Sequence, residues 1–192
     1  MQKTINSPFS VSGITLHNGA ISNLTIYPAT ANTGIVFKRV DLKISNEESL
    51  IIAKLNNISH SDLCTKITNK IGISVSTIEH LMSALHGMGV DNAIVEVDCN
   101  ELPILDGSSI EYVRNIEQVG LRSLNVEKRF ISISRPIVFR MNDSFVKVSP
   151  SDHFSVDYTI SYDHELIKEQ RFNYEFKDSS QFKNLISNCR TF

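Results

Sequence analysis

Tryptophan is absent from these 192 residues, and proline (5), glycine (8) and cysteine (3) are scarce. So little proline and glycine excludes collagen-like and low-complexity chains, and 41% hydrophobic against 21% charged residues excludes disorder. Cys64, Cys99 and Cys189 are odd in number, widely spaced and without a CxxC pair. They fit buried thiols in a reducing compartment, the cytosol, better than a disulfide framework. Long apolar runs are missing too. The longest aliphatic stretch, Leu50 to Ala53, is far short of a membrane span, and Met1 to Leu16 lacks the apolar core of a leader, so neither is expected. Nor is positive charge clustered: 19 Lys and Arg against 21 Asp and Glu leave a net charge of −2, with no basic run to neutralise phosphates. Nonspecific nucleic-acid binding is therefore not expected.

What is present is a chain long enough to bury roughly 70% of its unfolded surface without a disulfide or metal staple. Charge is unevenly divided, −4 over residues 1–120 and +2 over 121–192. Between these halves runs the polar, aperiodic stretch Gly120 to Lys128, which reads as a connection. A first domain over 1–125 and a second over 126–192 are expected. The first opens with short strands at Phe9, Leu24 and Gly34, with Ile14–Gly19 as a turn, continues with a strand at Leu50–Leu55, and suggests a hairpin over Thr65–Val75. Ile78, Leu81, Met82 and Leu85 fall at i, i+3, i+4 and i+7, a helix with one buried stripe that Gly87 and Gly89 should stop. Ser76-Thr-Ile-Glu79 has capping-box spacing, as does Ser108-Ser-Ile-Glu111 ahead of a second helix running to Val119. The second domain repeats the theme with strands beginning at Phe130, Ile137, Phe145, Phe154 and Arg171, then a third helix after Asp178. Strands first and helices after them predict an α+β fold, two similar two-layer units with mostly antiparallel sheets. The second unit has one helix where the first has two, so it is expected to be incomplete.

Glu79-His80, at the mouth of the first helix, pairs a carboxylate with an imidazole, the two groups a metal-bound water needs near it. The simpler account is a capping glutamate and a polar first-turn histidine. No HExxH spacing exists, since positions 83 and 84 are Ser and Ala, and His60, His153 and His164 have no spacing that recommends them as ligands. His17 sits on a tight turn in Leu16-His-Asn-Gly19, where turn chemistry and function are equally served. Cys64 reads as a structural thiol, and Asp106-Gly-Ser108 as ordinary turn and cap residues. GxGxxG, P-loop, GxSxG and CxxC motifs are all absent.

Taken together, the segments Ser12–Gly19, Pro28–Gly34, Leu63-Cys-Thr65, Val75–Leu81, Gly89–Asn92, Glu101–Ser108 and Ser187-Asn-Cys-Arg-Thr-Phe192 resemble the UDP-3-O-acyl-N-acetylglucosamine deacetylases. These are the zinc amidases of lipid A synthesis in Gram-negative bacteria, and the resemblance runs along essentially the whole chain. It implies a cytoplasmic hydrolase that takes a UDP-3-O-acyl-N-acetylglucosamine substrate and zinc as cofactor; the sequence leaves the oligomeric state open, with a monomer favoured. His80 matches a zinc ligand, Glu79 the general base, and Thr191 the hydroxyl that hydrogen-bonds the oxyanion. Leu63, Cys64, His17 and Phe192 match residues near the substrate. The family pattern also contains an H-K-x-x-D segment and a Gly-His, neither of which occurs here. With one zinc ligand of three, this chain alone is expected to be catalytically incomplete. A noncatalytic module binding nucleotide sugar and a structural α+β module are the other readings.

Overall fold

A computed structural model describes residues 1–191, so Phe192 lies outside the described residues. The chain forms two units, one of residues 1–128 with the segment from Ser179 onward, the other of residues 129–178.

The first unit begins with β1 (Lys3–Ile5), β2 (Phe9–Ile14), β3 (Ile21–Pro28), β4 (Ile35–Arg39) and β5 (Leu50–Ile52). Three short strands follow, β6 (Ile58–His60), β7 (Lys66–Thr68) and β8 (Ser74–Val75), then α1 (Glu79–Met88), β9 (Ala93–Val97), α2 (Ile110–Val119) and β10 (Leu121–Ser123). The main sheet has the order β2-β3-β9-β4-β5, antiparallel except where β4 runs parallel to β9. Alternation decides its faces. Val11, Leu24, Ile26, Val95 and Val97 point into the core, whereas Ser10 meets Thr25 and Lys38 meets Glu96 on the wet side. Helices α1 and α2 pack side by side, with α2 against β2, and their buried stripes hold Leu81, Ala84 and Leu85 on one and Tyr112, Val113 and Ile116 on the other. This is the expected α+β class.

Several local expectations differ. Neither capping box forms: α1 has Ile78 at its N-cap with Glu79 as the first helical residue, and α2 has Ser109 there, both without a side-chain cap. Ser76 instead joins the 100–102 segment, donating its hydroxyl to Asn100 O at 3.2 Å. The strand expected to reach Leu55 ends at Ile52. Part of the expected connection, 121–123, is β10, because pairing with β1 satisfies its backbone groups. Gly89, with φ of 77°, makes the left-handed cap that ends α1, but Gly87 lies inside the helix.

The reason for Gly87 is α3 (Ser179–Leu185), which packs on α1 and clusters with the first unit. A Cβ on Gly87 would clash with the ring of Phe182, which is buried. Lys183 also pairs with Glu117 of α2 at 2.6 Å, and Ser187 O accepts from Ser109 N at 3.2 Å. Helix propensity alone makes Gly→Ala stabilising by about 1 kcal/mol. Overpacking costs about 1–3 kcal/mol and should win here, because a ring has no slack to yield. Gly87→Ala is therefore expected to lower the urea midpoint and to speed tryptic cleavage at Lys183; a raised midpoint would show that propensity prevails.

The second unit consists of two antiparallel hairpins. One pairs β11 (Ile137–Met141) with β12 (Ser144–Val148), the other β13 (Ser155–Ser161) with β14 (Glu169–Glu175). Residues 130–134, expected as a strand, are irregular. Arg171 clamps Asp157 across the second hairpin and, chiefly through that hydrogen bond, holds its carboxyl below the ordinary value.

Candidate active site

Three segments of the first unit converge beyond the end of β2. The first is the 15–20 turn between β2 and β3, closed by Thr15 N donating to Ala20 O at 2.9 Å and Ala20 N to Thr15 Oγ1 at 2.9 Å. The second is the 101–107 loop after β9. It is stitched to the first by Ile104 N donating to Ile14 O at 3.0 Å and by a bridge between Thr15 and Pro103. Tyr112 ties α2 to the same loop, its hydroxyl donating to Pro103 O at 3.3 Å, and burial pushes that phenol above its usual range. The third is the chain behind α3, where Thr191 N donates to Gly107 O at 2.9 Å.

Between them lies a cleft of about 480 Å³ lined by Leu16, His17, Leu63, Ile104, Leu105, Asp106, Gly107 and Thr191. Three of the residues expected at the site, His17, Leu63 and Thr191, thus share one cavity. Its walls are aliphatic and its polar groups few, the usual make-up of a small-molecule site. Asp106 accepts from Ser108 Oγ at 2.7 Å and Ser108 N at 3.0 Å, and Arg190 stands 3.2 Å away. The Ser108 hydroxyl, above all, holds the Asp106 carboxyl below its ordinary value against a smaller opposing effect of burial.

Glu79 and His80 are half-buried at the start of α1 and do not line this cleft. They are joined to it indirectly. The Glu79 carboxylate accepts from Thr65 N at 2.9 Å, and Thr65 O accepts from Ile78 N at 3.5 Å, so the segment carrying Leu63 and half-buried Cys64 is strapped to the helix mouth. Leu63 itself is 91% exposed, with φ of 61°. Phe192 lies outside the described residues.

Glu101 was not singled out for a role by the sequence, yet it is fully buried at the junction of these segments. Its carboxylate accepts from His17 N at 2.9 Å, Asn18 Nδ2 at 2.7 Å, Asn18 N at 3.3 Å and Thr77 Oγ1 at 3.1 Å. The available signal was an acid standing directly before the apolar run Leu102-Pro-Ile-Leu105, a place where a solvated charge is not expected.

A sequence model of the LpxC family, UDP-3-O-acyl N-acetylglycosamine deacetylase, matches residues 2–192. The chain belongs to this family. Among curated relatives, the UDP-3-O-acyl-N-acetylglucosamine deacetylase of Pseudoalteromonas atlantica is 43% identical over 192 residues, covering all of this chain and 62% of its own. Those of Wigglesworthia glossinidia brevipalpis and Aliivibrio fischeri are each 37% identical over 193 residues, again covering all of this chain and 64% and 62% of theirs. The chain therefore spans a little over three-fifths of the length of these LpxC relatives.

Zinc, implied by the resemblance, can be tested against the donor set. Among the described residues no three His, Cys, Asp or Glu side chains come together to hold a metal ion. A catalytic zinc takes three protein ligands, so His80 alone does not fit the metal. No helix among the described residues is long and apolar enough to cross a membrane.

Proposed function

We propose that the complete protein is a zinc-dependent amidohydrolase that removes the N-acetyl group of UDP-3-O-acyl-N-acetylglucosamine in the cytoplasm, committing it to lipid A synthesis. Membership of the LpxC family supports the reaction class, and the meeting of His17, Leu63 and Thr191 in one cleft is the observation that carries it to these residues. Hydrolysis breaks the amide C–N bond; the oxygen of water bonds to the acetyl carbon, one of its two protons goes to the leaving nitrogen and the other to solvent, yielding acetate and a free amine. Glu79 takes the proton of the attacking water, a role suited to a half-buried carboxylate whose other hydrogen bond, to Thr65 N, fixes its direction. The Thr191 hydroxyl donates to the oxyanion, and its backbone is held for this by Gly107 O. Leu63, Cys64, His17 and Phe192 contact the substrate. His80 is the one ligand these residues offer zinc, so the 192 residues by themselves hold the metal weakly and turn over little. Binding of nucleotide sugar without turnover is the second reading for the isolated chain, favoured by the lack of a ligand cluster among the described residues.

The test is to incubate the complete protein with UDP-3-O-acyl-N-acetylglucosamine and follow the deacetylated amine by mass spectrometry, before and after a chelator and with zinc restored. Expected are acetate release, its loss with chelation and its recovery with zinc. Intact substrate after incubation with the zinc-loaded protein would overturn the proposal.

A further inference from the structure

A buried carboxylate is costly unless its lone pairs are filled, and Glu101 fills them with four donors and, among the described residues, no cation. Those donors come from two places far apart in sequence. The His17 and Asn18 amides with the Asn18 side chain belong to the turn that lines the cleft, and Thr77 stands two residues ahead of Glu79. Backbone bonds also tie the Thr77 segment to that of Glu101, since Ser76 N donates to Asn100 O at 3.0 Å and Leu102 N to Ser76 O at 3.1 Å.

Thr77 also has φ of 56°, which a β-branched residue adopts only under constraint. Leu63 and Leu105, at 61° and 55°, share this conformation and line the cleft. The other left-handed non-glycine residues are Asn32, Asn125 and Asn142, of a type that adopts it readily, and Lys168 in the second unit. Backbone strain in the first unit, apart from two asparagine turns, is thus gathered around one carboxylate and the cavity beside it.

We propose that Glu101 is a positioning residue: one carboxylate that holds the His17 turn and the start of α1 in fixed relation, so that the cleft and Glu79 face the same substrate. This rests on the deacetylase reading of the site. Glu101 touches no substrate itself; it acts through the His17 amide and the Thr77 hydroxyl.

Glu101→Gln tests it, because the amide keeps the shape but turns an NH2 toward the two Asn18 donors. Asn18→Asp in the same chain supplies an acceptor for that NH2. Each single variant and the pair are compared with the unsubstituted complete protein, at a temperature where far-UV circular dichroism shows all of them folded. Two quantities are read: kcat for the UDP-3-O-acyl sugar, and amide hydrogen exchange at His17 and Asn18 with Val95 as the internal reference. Glu101→Gln is expected to lower kcat about tenfold or more and to speed His17 exchange to a similar extent, with Val95 unchanged. Asn18→Asp alone should do the same by placing two carboxylates together, while the pair recovers most of both losses. A residue that merely stabilises the fold would not show that reciprocal recovery. Should Glu101→Gln fail to fold, Thr77→Val removes one donor, keeps the branched shape, and should shift both readouts in smaller measure. Unchanged His17 exchange, or kcat that stays within about twofold while exchange rises, overturns the positioning role. If the unsubstituted protein leaves the sugar intact, the deacetylase reading fails, and His17 exchange still decides whether Glu101 holds the turn.

Discussion

Glu79→Gln is expected to lower the deacetylation rate of the complete protein by about 10²–10⁴-fold, the range that a positioned proton acceptor contributes. The substitution is informative because of what it preserves. The carboxylate accepts a hydrogen bond from Thr65 N at 2.9 Å, and a glutamine oxygen accepts the same bond. The strap carrying Leu63 and Cys64 should therefore stay in place, and Glu79 makes no side-chain cap on α1, so the helix loses only the charge–dipole contribution of a first-turn carboxylate, about 0.3–1 kcal/mol. What is lost is the capacity to take a proton. Glu79→Ala forms the contrast, since it frees the Thr65 amide as well and should weaken substrate binding in addition to turnover. Steady-state rates on the UDP-3-O-acyl sugar, with zinc content measured on the same samples, check the expectation. A glutamine variant within about threefold of the unsubstituted rate would remove Glu79 from the chemistry.

His80→Ala is the second large effect. As the second residue of α1, half-buried, His80 is replaced by a residue with better helix propensity, so thermal stability should hold or rise slightly. Zinc retention in the complete protein after dialysis should fall sharply, and turnover by about 100-fold or more, because even partners one step removed from a metal cost about 10–100-fold. Full zinc content together with unchanged turnover would mean that His80 is the polar first-turn residue that spacing alone suggested.

The difference between what could be read in advance and what could not has physical causes. The stripe Leu81, Leu85 and its neighbours predicted α1, because burial on one face leaves a periodic trace. Hairpins with alternating burial, such as β2–β3, were legible for the same reason. Ser76 and Ser108 were not: the same residue types cap helices or close turns, and here Ser76 bonds Asn100 O and Ser108 bonds Asp106. Gly87 read as a helix stop, since nothing local says that a ring arrives from residue 182. Glu79-His80 stood out as a carboxylate–imidazole pair, but its roles, and Thr191 altogether, entered through resemblance, while Glu101 stood in a motif quoted for that resemblance without a role. Its role depends on two segments that only the tertiary structure brings together.

The position of α3 has a consequence for synthesis. The helix that seals the Gly87 face is separated from the rest of its unit by the 50 residues of the second unit, 129–178. At about 5–20 residues added per second, the ribosome spends roughly 3–10 s on that second unit alone, between completing the socket's side of the first unit and beginning its plug. During that interval the nascent chain carries an open apolar notch on α1, the natural moment for a chaperone to hold it.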